Sequence, residues 1–180
     1  NQLHSLGLLP VPSKDTMKSL KKVKQQLDKE MNSLEIKLEA VLQKWQPAQL
    51  KSVSSIKGIG KRATAMLIVF TQGFKYTHNH RQLISFAGLS PTEYSSGSSI
   101  QGKPRIYKRG GKNLRDVLYM CSMNAMKTNP ACKVLYERLR ANGKTGKQAL
   151  IAVCNKLLKQ VFAVVKNNSL YQPNYCSARP

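Results

Sequence analysis

Along the first quarter of the chain, residues recur in alternating steps of three and four: Met17, Leu20, Lys24, Leu27, Met31, Leu34, Leu38, Val41 and Trp45. Only Lys24 breaks the apolar series, and charged or polar residues such as Lys18, Lys21, Gln25, Asp28, Glu30 and Glu35 fill the positions between. This is the seam of a coiled coil of about four heptads. Such a seam serves self-association or an antiparallel intrachain hairpin, and a long amphipathic helix packed on its own domain has the same periodicity, so these readings stand side by side. In a coiled coil, Lys24 would help set register or orientation. Ser13 is a candidate N-cap with Asp15 in the first turn, and Pro47 marks the end of the helix or its last turn. The pattern predicts a lead-in over 1–12 and a coiled-coil helix over 13–46.

The remainder also reads as helical. Arg81–Ala87 predicts a short helix stopped by Gly88. Asn113 is a candidate cap for a helix to about Met126, with Leu114, Val117, Leu118, Cys121 and Ala125 on one face. A further helix is expected from Pro130 to Ala141, stopped at Asn142-Gly143. A last one is expected from about Thr145 to Lys166, with Leu150, Val153, Cys154, Leu157, Leu158, Val161, Phe162 and Val165 as its core stripe. The tail 169–180 has little pattern and is expected to be frayed. The fold class is mainly α: a long N-terminal coiled-coil helix, then a compact helical domain over 47–168.

Two interruptions of this domain carry candidate chemistry. The first is Ser55-Ile56-Lys57-Gly58-Ile59-Gly60-Lys61-Arg62, an apolar-x-Gly-apolar-Gly turn between a short helix and a longer one, within 50–71. It resembles the helix-hairpin-helix motif of DNA repair and recombination proteins. Gly58 and Gly60 permit a tight turn and close backbone approach to an anion. The N–H groups and dipole at the start of the second helix favour phosphate, and Lys57, Lys61 and Arg62 add charge. Such contacts position a protein on nucleic acid without reading sequence. A plain αα-turn with a glycine stop is the alternative.

The second interruption runs from Gly88 to Gly111. It places Ser95, Ser96, Ser98 and Ser99 around Gly97, and Lys103, Arg105, Lys108 and Arg109 just after. A small hairpin from Tyr94 to Tyr107 is expected. A serine hydroxyl is a poor nucleophile unless neighbours activate it or stabilise the developing charge. Arg and Lys do the latter for a phosphate. The residues alone fit either a phosphoryl-transfer loop or a mobile Ser/Gly loop with solvated charges.

Charge narrows the partners. With 30 Lys and Arg against 8 acids, the net charge is +22, which implies a polyanion. An anionic membrane surface fits poorly, because no uninterrupted apolar run approaches the ~20 residues of a span and no signal peptide is visible. The sequence begins at Asn1, which reads as a fragment of something longer. Cys121, Cys132, Cys154 and Cys176 form no CxxC pair, so no zinc site is expected. The first three sit in apolar helical patterns and read as core of a reducing, cytosolic protein.

Taken together, these pieces resemble the C-terminal half of an insertion-sequence transposase family. Its members join a RuvC-like N-terminal nuclease domain to a serine-bearing C-terminal domain, and the Piv-type DNA invertases are related. The residues that carry the resemblance are Ser55-Ile56, Gly58-Ile59-Gly60, Ala87-Gly88-Leu89, Pro91, Tyr94, Ser96-Gly97-Ser98-Ser99, Gly102, Lys108, Gly110, Leu114-Arg115, Leu118-Tyr119-Met120 and Ala141-Asn142-Gly143-Lys144. It covers about 50–168, and 13–46 matches the family's coiled-coil position. The resemblance implies a DNA recombinase acting in transposition through a phosphoserine–DNA link. By motif position the nucleophile is Ser96, with Lys103, Arg105, Lys108, Arg109 and Arg115 on phosphates. The family's metal-binding carboxylates belong to the RuvC-like domain, so Mg2+ is expected there and no cofactor in this chain. The implied partners are DNA, a guide RNA as in some members, and further copies of the chain as homodimer or homotetramer. No membrane is implied, and the implied location is the bacterial cytoplasm, nucleoid-associated. Relatives often have serine where Tyr107 stands, which puts a catalytic role for that position in doubt.

Overall fold

A computed structural model describes residues 14–92, 95–96, 100–101, 105–106 and 110–173. The expected Ser13 cap and Cys176 lie outside them. Seven helices are described: α1 (Lys14–Trp45), α2 (Pro47–Ser54), α3 (Lys61–Phe70), α4 (His80–Phe86), α5 (Lys112–Thr128), α6 (Pro130–Ala141) and α7 (Gly146–Lys166). Between α4 and α5 lie four two-residue strands: β1 (Pro91–Thr92), β2 (Ser95–Ser96), β3 (Ile100–Gln101) and β4 (Arg105–Ile106). The fold is mainly α, as the periodicity predicts. The chain divides into two units between Leu42 and Gln43.

The described residues of the first unit all belong to the helix α1. No Gly or Pro interrupts Lys14–Trp45, and most of its residues are strong helix formers. Gln26 donates to Glu30 one turn on, at 3.0 Å. The seam residues Leu27, Met31, Leu34, Leu38, Val41 and Trp45 are exposed, as are Val23 and Ile36.

In the second unit, α5, α6 and α7 pack on one another, α2 and α4 lie against α7, and α3 lies against α2 and α5. Leu114 and Leu118 of α5 and Val153, Leu157, Leu158 and Val161 of α7 are fully buried, with Val53, Leu67, Ile68 and Leu83 from the earlier helices and Ile56 from the turn after α2. Each such side chain stabilises the fold by roughly 1.5–3 kcal/mol relative to exposure. The predicted α7 stripe is buried at Leu150, Val153, Cys154, Leu157, Leu158 and Val161, with Ala149 and Val164 added. By length and composition alone α7 could cross a membrane, but this stripe is core, and Lys147, Lys156, Lys159 and Lys166 punctuate the helix.

Of the two readings of Pro47, the end of the helix holds and the last turn does not, because α1 stops at Trp45. Pro47 is the first residue of α2, after a non-helical Gln46 at φ −141°, ψ 62°. Proline disfavours helix in the residue before it and suits N1 of the next. Asn113 does not cap α5, which begins at Lys112 with Gly111 as N-cap and no side-chain cap. A tertiary bond sets that start: the Gly111 N–H donates to the Phe86 carbonyl at 3.2 Å. The hairpin begins earlier than Tyr94, because Pro91–Thr92 already pairs with Arg105–Ile106. The tail is described through Pro173 and is tied down there, because Tyr171 bonds back to Ser55, Asn129 and Gln160.

Candidate functional site

The turn between α2 and α3 is built by alternating burial. Ile56 and Ile59 are 1% and 7% exposed, whereas Lys57, Gly60, Lys61 and Arg62 face solvent. Two short backbone bonds wind the turn: Ile56 N–H to the Val53 carbonyl and Ile59 N–H to the Ile56 carbonyl. Burying the two isoleucines therefore pushes the cations outward together.

The two glycines of this turn are not equivalent. Gly58 has φ +101°, and a Cβ there would lie 2.5 Å from the Ala125 Cβ. Both its conformation and its contact with α5 demand glycine. Gly60, at φ −85°, has nothing within 4 Å of a would-be Cβ. Neither turn geometry nor crowding requires glycine at position 60. A hydrogen bond from its backbone to the Cys121 thiol opposes the upward pKa shift that burial imposes there. The Gly60 backbone is thus engaged with α5.

The serine loop is closed at its base. Gly88, at φ +67°, ends α4, and the Leu89 N–H returns to the Ile84 carbonyl at 3.0 Å. Gly110 lies so close to Gly88 and to the Phe86 carbonyl that a Cβ would overlap both. The Arg115 guanidinium donates to the Ala87 carbonyl at 3.4 Å. Arg115, expected to contact phosphate, is thereby half-buried and partly committed to holding the base. Above it, β1 pairs with β4, and β2 pairs with β3 through Ser95 with Gln101 and Ser96 with Ile100. Two residues separate β1 from β2 and three separate β3 from β4, so the ladders are one residue out of step. The Ser96 and Arg105 backbones thus lie in the paired arms. Lys103, Lys108, Arg109, Tyr94, Tyr107, Gly97, Ser98 and Ser99 lie outside the described residues.

Helix α5 connects the two places. Arg115 on it meets the loop base, Cys121 meets Gly60, and Ala125 meets Gly58. At 1.5 Å per residue, Arg115 and Ala125 are about 15 Å apart along the axis. The basic turn and the base of the serine loop thus share one rigid support. Of the eight acids, five (Asp15, Asp28, Glu30, Glu35, Glu39) lie on α1, so only Glu93, Asp116 and Glu137 offset the cations of 43–180. Among the described residues no three of His, Cys, Asp and Glu gather where a metal could sit. Asp116 and Glu137 stand exposed on different helices, with Glu137 4.0 Å from Lys133. The His80 ring meets Phe162 edge-on with centroids 6.3 Å apart, a packing role.

The three described cysteines are buried and unpaired by disulfides. Burial pushes the Cys132 and Cys154 thiols up to about 11, which suits core residues rather than nucleophiles.

The basic glycine turn and the base of the serine loop both fall within the stretch of this chain that is similar to known proteins. Residues 50–137 match the family described as the transposase IS116/IS110/IS902 family. The chain is 32% identical over 120 residues to an uncharacterized 43.6 kDa protein of insertion element IS110 from Streptomyces coelicolor, covering 67% of this chain and 29% of the relative. It is 34% identical over 117 residues to the pilin gene-inverting protein of Moraxella lacunata, covering 64% of this chain and 36% of that protein. It is 25% identical over 148 residues to an uncharacterized 42 kDa protein of insertion element IS900 from Mycobacterium paratuberculosis. The matched regions span about a third of the length of these relatives.

Proposed function

We propose that this chain is the nucleic-acid-binding and serine-nucleophile part of a transposase or site-specific DNA recombinase, working with a RuvC-like domain outside this sequence. What supports the reading most is that the family domain spans both the basic turn and the serine loop, which α5 holds at a fixed spacing. Two phosphate-seeking features on one support suit a polyanion lying across both.

In this proposal Lys57, Lys61 and Arg62 hold backbone phosphates at the helix-hairpin-helix turn. Ser96 Oγ attacks a DNA phosphorus. One P–O bond forms as another breaks, so the phosphodiester energy is kept in a phosphoserine link and no external energy source is needed. Arg105, Lys108 and Arg109 stabilise the developing charge, and Lys103 steadies a neighbouring phosphate. The serine proton passes to a basic side chain or to a group of the RuvC-like domain, and His80, packed on Phe162, is not that base. Mg2+ would belong to the RuvC-like domain. A structured RNA is a natural second polyanion for the same surface. The setting proposed is a bacterial cytoplasm, nucleoid-associated, with the chain assembled as a dimer or tetramer through α1.

The test is covalent trapping. The full-length protein is incubated with end-labelled element DNA, candidate RNA and magnesium, then run on a denaturing gel. A labelled adduct lost in Ser96→Ala but kept in Ser95→Ala is expected. Adduct in every lane, or in none despite tight binding, refutes the nucleophile assignment. The second reading, a non-catalytic nucleic-acid-binding module, draws on the exposed cations of the turn alone and requires Ser96→Ala to be silent.

A further inference from the structure

Beneath the basic turn lies a closed ring of three uncharged side chains from distant parts of the chain. The Gln160 Nε2 donates to the Tyr171 Oη at 3.4 Å. The Tyr171 hydroxyl donates to the Asn129 Oδ1 at 2.9 Å. The Asn129 Nδ2 closes the ring on the Gln160 Oε1 at 3.0 Å. Asn129 is fully buried and makes two more bonds. Its Nδ2 also donates to the Lys57 carbonyl at 3.2 Å, and its Oδ1 also accepts from the Cys132 N–H at 3.3 Å as the N-cap of α6. Both donors and both acceptor sites of the amide are therefore used. A flipped amide would set its NH2 against the Cys132 N–H and its oxygen against the Lys57 carbonyl, so one orientation is dictated.

The ring grips the turn from a second side. The Tyr171 backbone N–H donates to the Ser55 Oγ at 2.8 Å, and that hydroxyl donates to the Ser52 carbonyl at 2.6 Å. The segment after α7 thus reaches both Ser55, before the turn, and, through Asn129, Lys57 within it. Core packing alone would not need this. Apolar residues fill a helix junction more cheaply than a saturated polar ring, and a partly satisfied ring is costlier than none. What the ring fixes is the direction of the Lys57–Gly58 peptide. Its carbonyl is turned inward, while the Lys57 side chain stays outward.

We propose that Asn129, Gln160 and Tyr171 are positioning residues for nucleic-acid binding, holding the Lys57–Arg62 turn in the orientation that presents its cations to a phosphate backbone. The inference rests on reading that turn as a nucleic-acid contact. It gives the segment after α7 a role in binding though it supplies no contact itself.

The experiment uses the whole chain and a short fluorescein-labelled DNA duplex of arbitrary sequence. Tyr171→Phe removes one ring oxygen, and Gln160→Met opens the ring at a second member with little change in volume. Backbone amide exchange over 57–62 reads the turn directly, and fluorescence anisotropy reads binding. Each is done in the native background and with Lys57, Lys61 and Arg62 all changed to Gln. Both ring variants are expected to speed exchange in 57–62 while exchange in α5 and α7 holds. They are expected to weaken binding about threefold to tenfold in the native background, the size one or two hydrogen bonds can carry. In the neutralised background they are expected to weaken it no further. Unchanged exchange in the turn overturns the inference whatever binding does. An equal further weakening in the neutralised background also overturns it, because the ring would then act by general stability. A neutralised turn that binds like the native protein defeats the reading of the turn itself and removes binding from the ring's role.

Discussion

Gly58 lies against Ala125 at a distance that leaves no room for a side chain: a Cβ on Gly58 would sit 2.5 Å from the Ala125 Cβ and 2.7 Å from its Cα. One of the two must move if position 58 gains even a methyl group, and φ +101° adds conformational strain for any other residue. Gly58→Ala is expected to cost at least about 2 kcal/mol in denaturant unfolding. Gly60→Ala meets open space and loses only the preference for glycine over alanine at the N-cap of α3, so it is expected to cost no more than about 1 kcal/mol. Equal destabilisation at the two positions would contradict the close approach of α5.

Charge at the turn makes a separate prediction. Changing Lys57, Lys61 and Arg62 to Gln is expected to lower the slope of log binding constant against log salt by up to about 3, one unit or slightly less for each phosphate no longer neutralised. All three side chains are exposed, so the unfolding midpoint is expected to hold. Binding titrations at several salt concentrations measure the slope, and an unchanged slope places the phosphates elsewhere on the protein.

The buried thiols fix a pH dependence. Burial raises Cys132 and Cys154 to about 11 in the folded chain from an ordinary 9.0. The folded protein therefore holds these protons where the unfolded chain releases them. The stability they contribute is fully present below pH 9 and is lost as pH rises through about 11. Unfolding free energy is expected to fall over that window, and less steeply in a Cys132→Ala, Cys154→Ala variant. At pH 8, maleimide labelling of these two thiols is expected to be slow in the folded chain and fast in denaturant.

The exposed seam of α1 predicts association. Leu27, Leu34 and Val41 are each about three-fifths exposed, with 58%, 62% and 61% of their surface open, along one heptad stripe. Leaving such a row in water is unfavourable, and a second copy is the cover proposed for it. Leu27→Lys with Leu34→Lys is expected to reduce the mass measured by light scattering to that of one chain. A native protein already monomeric at high concentration would refute it.

Much of this is legible in the sequence because it depends on local rules. The α6 bounds at Pro130 and Ala141 follow from a proline at N1 and the Asn142-Gly143 stop. The end of α4 before Gly88 and the buried stripe of α7 follow from glycine conformation and helical period. The errors fall where a distant partner decides. Asn113 has the chemistry of a cap, yet the Phe86 carbonyl draws in Gly111 and starts α5 two residues earlier. The tail shows no pattern because a single tyrosine with three distant partners leaves no periodic trace. Gly58 and Gly60 are indistinguishable as letters, and only the approach of Ala125 separates them. For Asn129, the Asn-Pro pair signals a cap for α6 and nothing of Lys57, which lies 72 positions away.

The ring below the turn has no formal charge, whereas the surface above it is cationic. Ionic strength therefore acts on grip and not on shape. Raising salt should release a bound polyanion and leave the turn already in its binding geometry, so that recapture on dilution is limited by encounter rather than by refolding of the site. A protein that must move from one strand to another can let go and rebind without rebuilding its hand each time.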